Sequence, residues 1–512
     1  MNKPVFQERK TRPVGYSALI HRFKLDVVPH WRRSYVTNES LPKTHTMDGV
    51  TEVFYPAKYW PGETLGDHLE FALKYDGTNL ALLAAIFQSA PKSEFESYIA
   101  SKPRGKYARR LWFFYEMLTE TQLDLHDLQT GGYVDLLEPD EYYTVSPPEQ
   151  VRRQRVNDNL PGNRQFCPTV RRTETLKKFE GVNLTERCRE IVAAYSPQLL
   201  KRAMGYLYTK ETRSSFAIEN IEPNSTRAER FVALLHAAKS DDYCEKSRLL
   251  ELQNRIVDPR FQCSDYRNTQ NYVGEMISWQ REKIHYVGPK PDDLSELMEG
   301  LIASHQRMNQ SDIHAVAHAA MVSYGFVFLH PLEDGNGRIH RFLIHNILAR
   351  RNFTPSGMIF PVSASMLRNR DDYDASLEAF SRPIMELVEY RLDDEGRLTV
   401  QNDTACWYRY IDLTVQTEML FRFIEQTIET ELVDELTFLV SYDQAKKAIQ
   451  EIVDMPDRKI DLFIRLCLQN NGRLSKSKRG SLFDFLSDAE IARMEEAIRF
   501  VAGNEDHFQL KP

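Results

Sequence analysis

Residues 330–341 read HPLEDGNGRIHR, and His330, Asp334, Gly335, Asn336, Gly337, Arg338 and Arg341 fall within these twelve positions. A glycine-rich loop that opens a helix is an anion site. The first backbone N–H groups of the helix have no partner inside it, and the dipole favours negative charge. Gly335 and Gly337 allow phosphate oxygens to approach the main chain, and Asn336 adds a side-chain donor. Arg338 and Arg341 bring forked donors for further phosphates. This number of donors suits a triphosphate better than a single sulfate or carboxylate. Asp334 would be out of place facing phosphate alone, but it suits a Mg²⁺ ion bridging two phosphates. His330, at the other end of the loop, can serve as a general base near neutral pH. Taken singly, each residue has a blander reading: a cap histidine, a loose GxG, a solvated arginine pair. Their joint spacing is what carries chemistry. The segment has no GxxxxGK[ST] run and no βαβ context, so it is neither a P-loop nor a dinucleotide fingerprint.

The flanking pattern shows what must hold the loop. Residues 315–329, AVAHAAMVSYGFVFL, are small and apolar throughout, as in a buried helix. Pro331 and the two glycines then supply turn chemistry. RIHRFLIHNILARR follows as a second helix, with Ile339, Phe342, Leu343, Ile347 and Leu348 as its apolar stripe and Arg338 and Arg341 at i, i+3.

HPLEDGNGRIHR resembles the signature of the Fic family of nucleotidyl transferases, HPFx(D/E)GNGRxxR, with Leu332 where the family carries Phe. An apolar swap at a loop anchor should be tolerated. The resemblance extends over about residues 205–385. It implies transfer of AMP from ATP to a protein hydroxyl. His330 would activate a Ser, Thr or Tyr hydroxyl, and Asp334 would hold Mg²⁺ on the α- and β-phosphates. Gly335, Asn336 and Gly337 would cradle those phosphates, Arg338 would bind the β-phosphate region, and Arg341 the γ-phosphate. The family's kinase-like branch has Lys at the second glycine, so Gly337 argues against it. The resemblance also implies a hairpin flap that docks the target chain by strand addition, expected at KIHYVGPKPDDL, residues 283–294. Asn369 and Tyr373 occupy the place of the family's adenosine contacts.

A second motif lies upstream. Ser215, Glu219 and Asn220 match the family's inhibitory pattern [ST]xxxE[GN], on a helix near residues 212–220. The resemblance implies that Glu219 pairs with Arg341 and takes it from the γ-phosphate, since a desolvated arginine–carboxylate pair competes with arginine–phosphate. It also leaves room for Glu219 to serve AMP removal.

The expected fold is mainly α: a Fic-type helical bundle with a small β-hairpin flap and mostly helical N- and C-terminal extensions. The expected divisions are an N-terminal region at 1–180, a catalytic core at 183–395 and a C-terminal helical region at 399–512. Residues 1–55, interrupted by Pro4, Pro13, Pro29 and Pro42, read as irregular; 65–127 read as helical, and 128–175 as a loop-rich linker or a small β element. The chain has 512 residues, a net charge of −7 and a 42% hydrophobic content, enough for a large core. No apolar run is long enough to span a bilayer, and no secretory signal is evident at the N-terminus. The six cysteines are scattered without a CxxC pair, which suits a reducing, cytoplasmic setting. The acidic balance gives no global nucleic-acid footprint, and the basic RLSKSKRG at 473–480 reads as a solvated loop. The expected partners are ATP, Mg²⁺ and a target protein; self-modification and a homodimer are family precedents. Two other readings compete: a nucleotide-sensing regulator working through its flanks, and a family enzyme with another donor.

Overall fold

The structure, a computed structural model, describes residues 11–47, 49–278, 281–355, 357–393 and 395–502. The fold is mainly helical, with four small sheets among the described residues. The chain forms two compact units that interleave in sequence. One draws on the chain up to Gly181, Pro223–Phe353 and Asn369–Arg422; the other on Val182–Glu222, Thr354–Arg368 and the chain from Phe423 onward.

The first unit opens with a four-stranded sheet, where the sequence suggested irregular chain. Strands β1 (Arg12–Val14), β2 (Arg32–Thr37), β3 (Lys43–Met47) and β4 (Val50–Pro56) lie in the order β1-β2-β4-β3, with β2 and β4 parallel. Pro4 lies outside the described residues; Pro13, Pro29 and Pro42 punctuate this sheet instead of preventing it. Pro13 sits on the edge strand β1, where a missing N–H is tolerated, and Pro29 and Pro42 precede strands. Helices follow as expected over Leu65–Phe71, Leu80–Ser89, Lys92–Ser101 and Lys106–Thr119. Thr64 and Asp67 form a capping box, and Asn79 caps the next long helix. Leu69, Leu83, Ile86, Phe95, Leu111 and Phe114 make their shared core. Three short strands, β5 (Val134–Asp135), β6 (Glu149–Val151) and β7 (Val156–Asp158), supply the small β element read at 128–175.

The same unit holds the helices Pro291–Asn309, Ala315–Leu329, Asn336–Arg350 and Arg370–Met385. It also holds two hairpins. Strands β8 (Tyr272–Ser278) and β9 (Arg281–Val287) pair antiparallel, as do β10 (Tyr390–Leu392) and β11 (Leu398–Val400). The flap therefore starts earlier than 283–294, and residues from Pro291 on are already helix. The first flap strand escaped the sequence reading because a register shift between Val273 and Gly274 breaks the period-two pattern.

The second unit is built from helices Leu184–Ala193, Pro197–Ala217, Val362–Arg368, Leu432–Ile452, Asp457–Leu468, Lys476–Leu482 and Asp488–Ala502. Ile449, Ile460, Phe463, Ile464, Phe483, Met494 and Ile498 form a core at its C-terminal end. The basic stretch read as a loop is in part the Lys476–Leu482 helix, opened by Ser475, whose hydroxyl accepts from the Lys478 N–H. No described helix is long and apolar enough to cross a membrane.

Candidate active site

The Ala315–Leu329 helix is buried from Val316 to Phe326 without interruption. That burial explains its unbroken apolar sequence and makes it a rigid base for the loop. His330 ends the helix in the left-handed conformation, with φ 47°. Its N–H donates to the Phe326 carbonyl at 3.0 Å. Its Nδ1 lies 3.1 Å from the Val327 carbonyl oxygen. A carbonyl only accepts, so Nδ1 carries a proton, and in the neutral ring the lone pair falls on Nε2. This is the tautomer a general base requires.

Leu332 is fully buried, and an aliphatic side chain does anchor the loop. The turn closes through Asn336. Its Oδ1 accepts from the Leu332 N–H at 3.0 Å, and its Nδ2 donates to the Leu332 carbonyl at 2.7 Å. The Asn336 side chain therefore clasps the loop, and its main-chain N–H is the group at the helix start. Gly335 is the N-cap, with φ 91°. A Cβ there would sit 3.0 Å from Val257 Cγ1, so the position demands glycine on both counts. Asn336, Gly337 and Arg338 form the first turn of the Asn336–Arg350 helix, whose N–H groups have no partner within the helix.

Arg338 is fully buried. Its Nη2 donates to Asp334 Oδ1 at 2.7 Å and its Nη1 to the Ile256 carbonyl at 3.2 Å. The Asp334 side chain is 40% exposed. Arg338 thus braces the acidic end of the loop. Arg341, one turn on, is also buried. Asn369 takes the N-cap position of the Arg370–Met385 helix, and its carbonyl accepts from the Tyr373 N–H at 3.1 Å. Tyr373 is a core residue. Its ring stacks near buried His340, centroids 6.3 Å apart, and burial pushes the His340 pKa down to about 3.

Two residues that sequence reasoning missed hold the His330 carbonyl: Arg267 Nε at 2.8 Å and Asn271 Nδ2 at 3.2 Å. Both belong to RNTQN at 267–271, which carries no periodicity or motif. The flap is fastened beside them: the Tyr286 hydroxyl donates to the Phe328 carbonyl, and the Tyr408 hydroxyl to the Val287 carbonyl at 2.6 Å. Val273 and Met276 on β8 are exposed.

The upstream motif lies in the second unit, at the end of the Pro197–Ala217 helix. Ser215 is fully buried. The helix closes through Asn220, which adopts φ 55°; its N–H donates to the Ala217 carbonyl, and the Ile221 N–H to that of Phe216. A left-handed residue at a helix end is best tolerated as Gly or Asn, which gives a physical reason for that choice after Glu219.

Residues 243–348 match the profile of the Fic/DOC family. The protein adenylyltransferase Fic of Culex quinquefasciatus is 36% identical over 121 residues, covering 22% of this chain and 21% of that protein. The protein of the same name from Aedes aegypti is 33% identical over 118 residues, covering 22% and 21%. The chain thus spans about a fifth of the length of the curated relatives it matches. The crystal structure of a Fic family protein from Desulfovibrio desulfuricans overlays with a TM-score of 0.35 at 19% identity, covering 65% of this chain and 87% of that one.

Proposed function

Taking residues 243–348 as a Fic-family domain, we propose that the protein transfers AMP from ATP to a Ser, Thr or Tyr hydroxyl of a target protein. The supporting observation is the pairing within one loop of a histidine whose Nδ1 is committed to a carbonyl with a glycine-capped helix N-terminus. His330 Nε2 takes the proton from the attacking hydroxyl. The new bond joins that oxygen to the α-phosphorus, the bond from the α-phosphorus to the bridging oxygen breaks, and pyrophosphate leaves. Such a displacement depends mainly on positioning and charge neutralisation. The N–H groups of Asn336, Gly337 and Arg338 meet the phosphates, with Arg338 near the β- and Arg341 near the γ-phosphate.

The residues present fit Mg²⁺ bound together with nucleotide. Asp334 is a single, partly exposed carboxylate beside a phosphate site, and Mg²⁺ commonly takes one or two carboxylates plus phosphate oxygens and water. Mg²⁺ there would neutralise phosphate charge. The target is presented as an added strand on the β8–β9 flap. Asn369 and Tyr373 would lie toward the adenosine, Asn369 being the more accessible.

Regulation follows from the upstream motif. Ser215, Glu219 and Asn220 form a brake in which Glu219 competes with the γ-phosphate for Arg341. The test is label transfer to lysate proteins from ATP labelled at the α- or the γ-phosphate. Label from the α position, lost in His330→Ala, supports adenylyl transfer; label from the γ position would replace it with phosphorylation.

A further inference from the structure

Arg267 is buried, and the Glu333 carboxylate acts on its charge through space. Its donors all go to main-chain carbonyls: Nε to His330 at 2.8 Å, Nη1 to Thr269 at 2.7 Å and Nη2 to Pro289 at 2.7 Å. Its own N–H donates to the Pro331 carbonyl at 2.9 Å. A buried cation whose hydrogen bonds all go to neutral acceptors is a poor device for stability, because desolvation costs more than those acceptors return. Burial indeed pulls the guanidinium pKa down to about 10.

The connections show what the arginine does. His330 and Pro331 begin the loop that carries the base; Pro289 is the root of the flap, two residues past β9. The neighbours of Arg267 strengthen the same bridge. Asn271 Nδ2 donates to the His330 carbonyl at 3.2 Å, Gln270 Nε2 to the Gly288 carbonyl at 2.7 Å, and Thr269 Oγ1 to Glu333 Oε1 at 2.8 Å. Gly288 leaves no room for a side chain: a Cβ would sit 2.5 Å from Asn271 Oδ1 and 3.1 Å from Arg267 Nη2. Residues 267–271 thus form a strap between the flap root and the histidine.

We propose that Arg267 is a positioning residue that couples target docking on the flap to the placement of His330. The inference rests on the transfer reading above, with His330 as base. A strand added to the flap presents its hydroxyl at a height set by the flap root. The base must meet that hydroxyl within hydrogen-bond reach. Arg267 holds both ends to one frame.

The test uses the full chain, in wild-type and Glu219→Gly forms, with Arg267→Met, Arg267→Lys and the milder Asn271→Ala. Three quantities are read: label transfer from α-labelled ATP, equilibrium binding of ATP with Mg²⁺, and amide exchange over residues 272–289. Misplacement of about 1 Å costs on the order of 100-fold in rate. Arg267→Met should therefore lower transfer about 10–100-fold, leave ATP affinity near wild type and speed exchange at the flap root. Lys should restore part of the rate, and Asn271→Ala should lower it less than Met. Transfer at the wild-type level in Arg267→Met, or ATP affinity falling in step with rate, overturns the proposal. His330→Ala keeps the two failures apart. If it abolishes transfer while Arg267→Met does not, only the coupling is wrong; if it leaves transfer intact, the base assignment falls and the coupling with it.

Discussion

The Glu211 carboxylate, fully buried on the Pro197–Ala217 helix, accepts the Ser363 N–H at 2.9 Å and the Ser363 hydroxyl as well. Ser363 stands at the start of the Val362–Arg368 helix, whose far end is held by Arg368 to buried Glu431 at 3.0 Å. Lys210, next to Glu211 in sequence, reaches the same Glu431 at 2.6 Å. The helix that leads to Glu219 is thus clasped to a second helix at both of that helix's ends.

Glu211→Ala should destabilise the second unit, because it leaves buried Ser363 groups without their acceptor at a cost of about 1–3 kcal/mol. Thermal unfolding should show an earlier transition. Under the proposed brake, the looser helix should also raise label transfer; an unchanged transition temperature would mean the clasp is unimportant.

The loop before the Asn336–Arg350 helix should be intolerant at two positions for different reasons. Gly335→Ala forces a side chain into φ 91° and against Val257, a strain of about 1–2 kcal/mol. Asn336→Ala unclasps Leu332. Both should weaken ATP binding about tenfold or more, which is about 1.4 kcal/mol. Calorimetric titration with ATP and Mg²⁺ checks this, and full affinity in Asn336→Ala would show that the clasp is dispensable.

The proposed brake makes a paired prediction. Glu219→Gly should raise transfer severalfold. Asn220→Gly should leave wild-type restraint, since Gly accepts the left-handed conformation, whereas Asn220→Val should cost about 1–2 kcal/mol locally and release activity. Equal behaviour of the Gly and Val variants would detach the helix end from regulation.

The N-terminal sheet carries a pH dependence. Asp76 is buried beneath Gly15, accepts the Tyr16 N–H at 3.2 Å and the Ser34 hydroxyl, and burial lifts its pKa from 3.8 to about 7. Burial is the main cause, opposed by the Ser34 and Tyr16 hydrogen bonds and by Arg32. A carboxyl with a raised folded pKa binds its proton more tightly when folded. Stability should therefore fall as pH rises from the unfolded value through about 7, and level off above it. Melting temperature measured from pH 5 to 8 should decline in wild type and decline less in Asp76→Asn. A change of 1 kcal/mol corresponds to about 2–4 °C for 150–250 residues. Parallel curves for the two proteins would remove Asp76 as the cause.

The loop and helix start from His330 to Arg341 were legible in sequence because they are local. A loop and the first turn of a helix are made by consecutive residues, so glycine and asparagine at fixed spacing suffice to specify the turn and the helix start. The apolar 315–329 segment announced its own burial for the same reason. What sequence alone left out depends on contacts between distant stretches. Arg267 meets His330 across 63 positions, and Glu211 meets Ser363 across 152; no periodicity marks either residue before the chain folds. The first flap strand was hidden by a bulge, and the N-terminal sheet by prolines that lie at its edge and strand ends. Asn336 shows the division within one residue. Its place in the motif was legible, but that its amide clasps Leu332 was decided only when the turn closed, because hydrogen-bond partners are chosen by geometry in three dimensions.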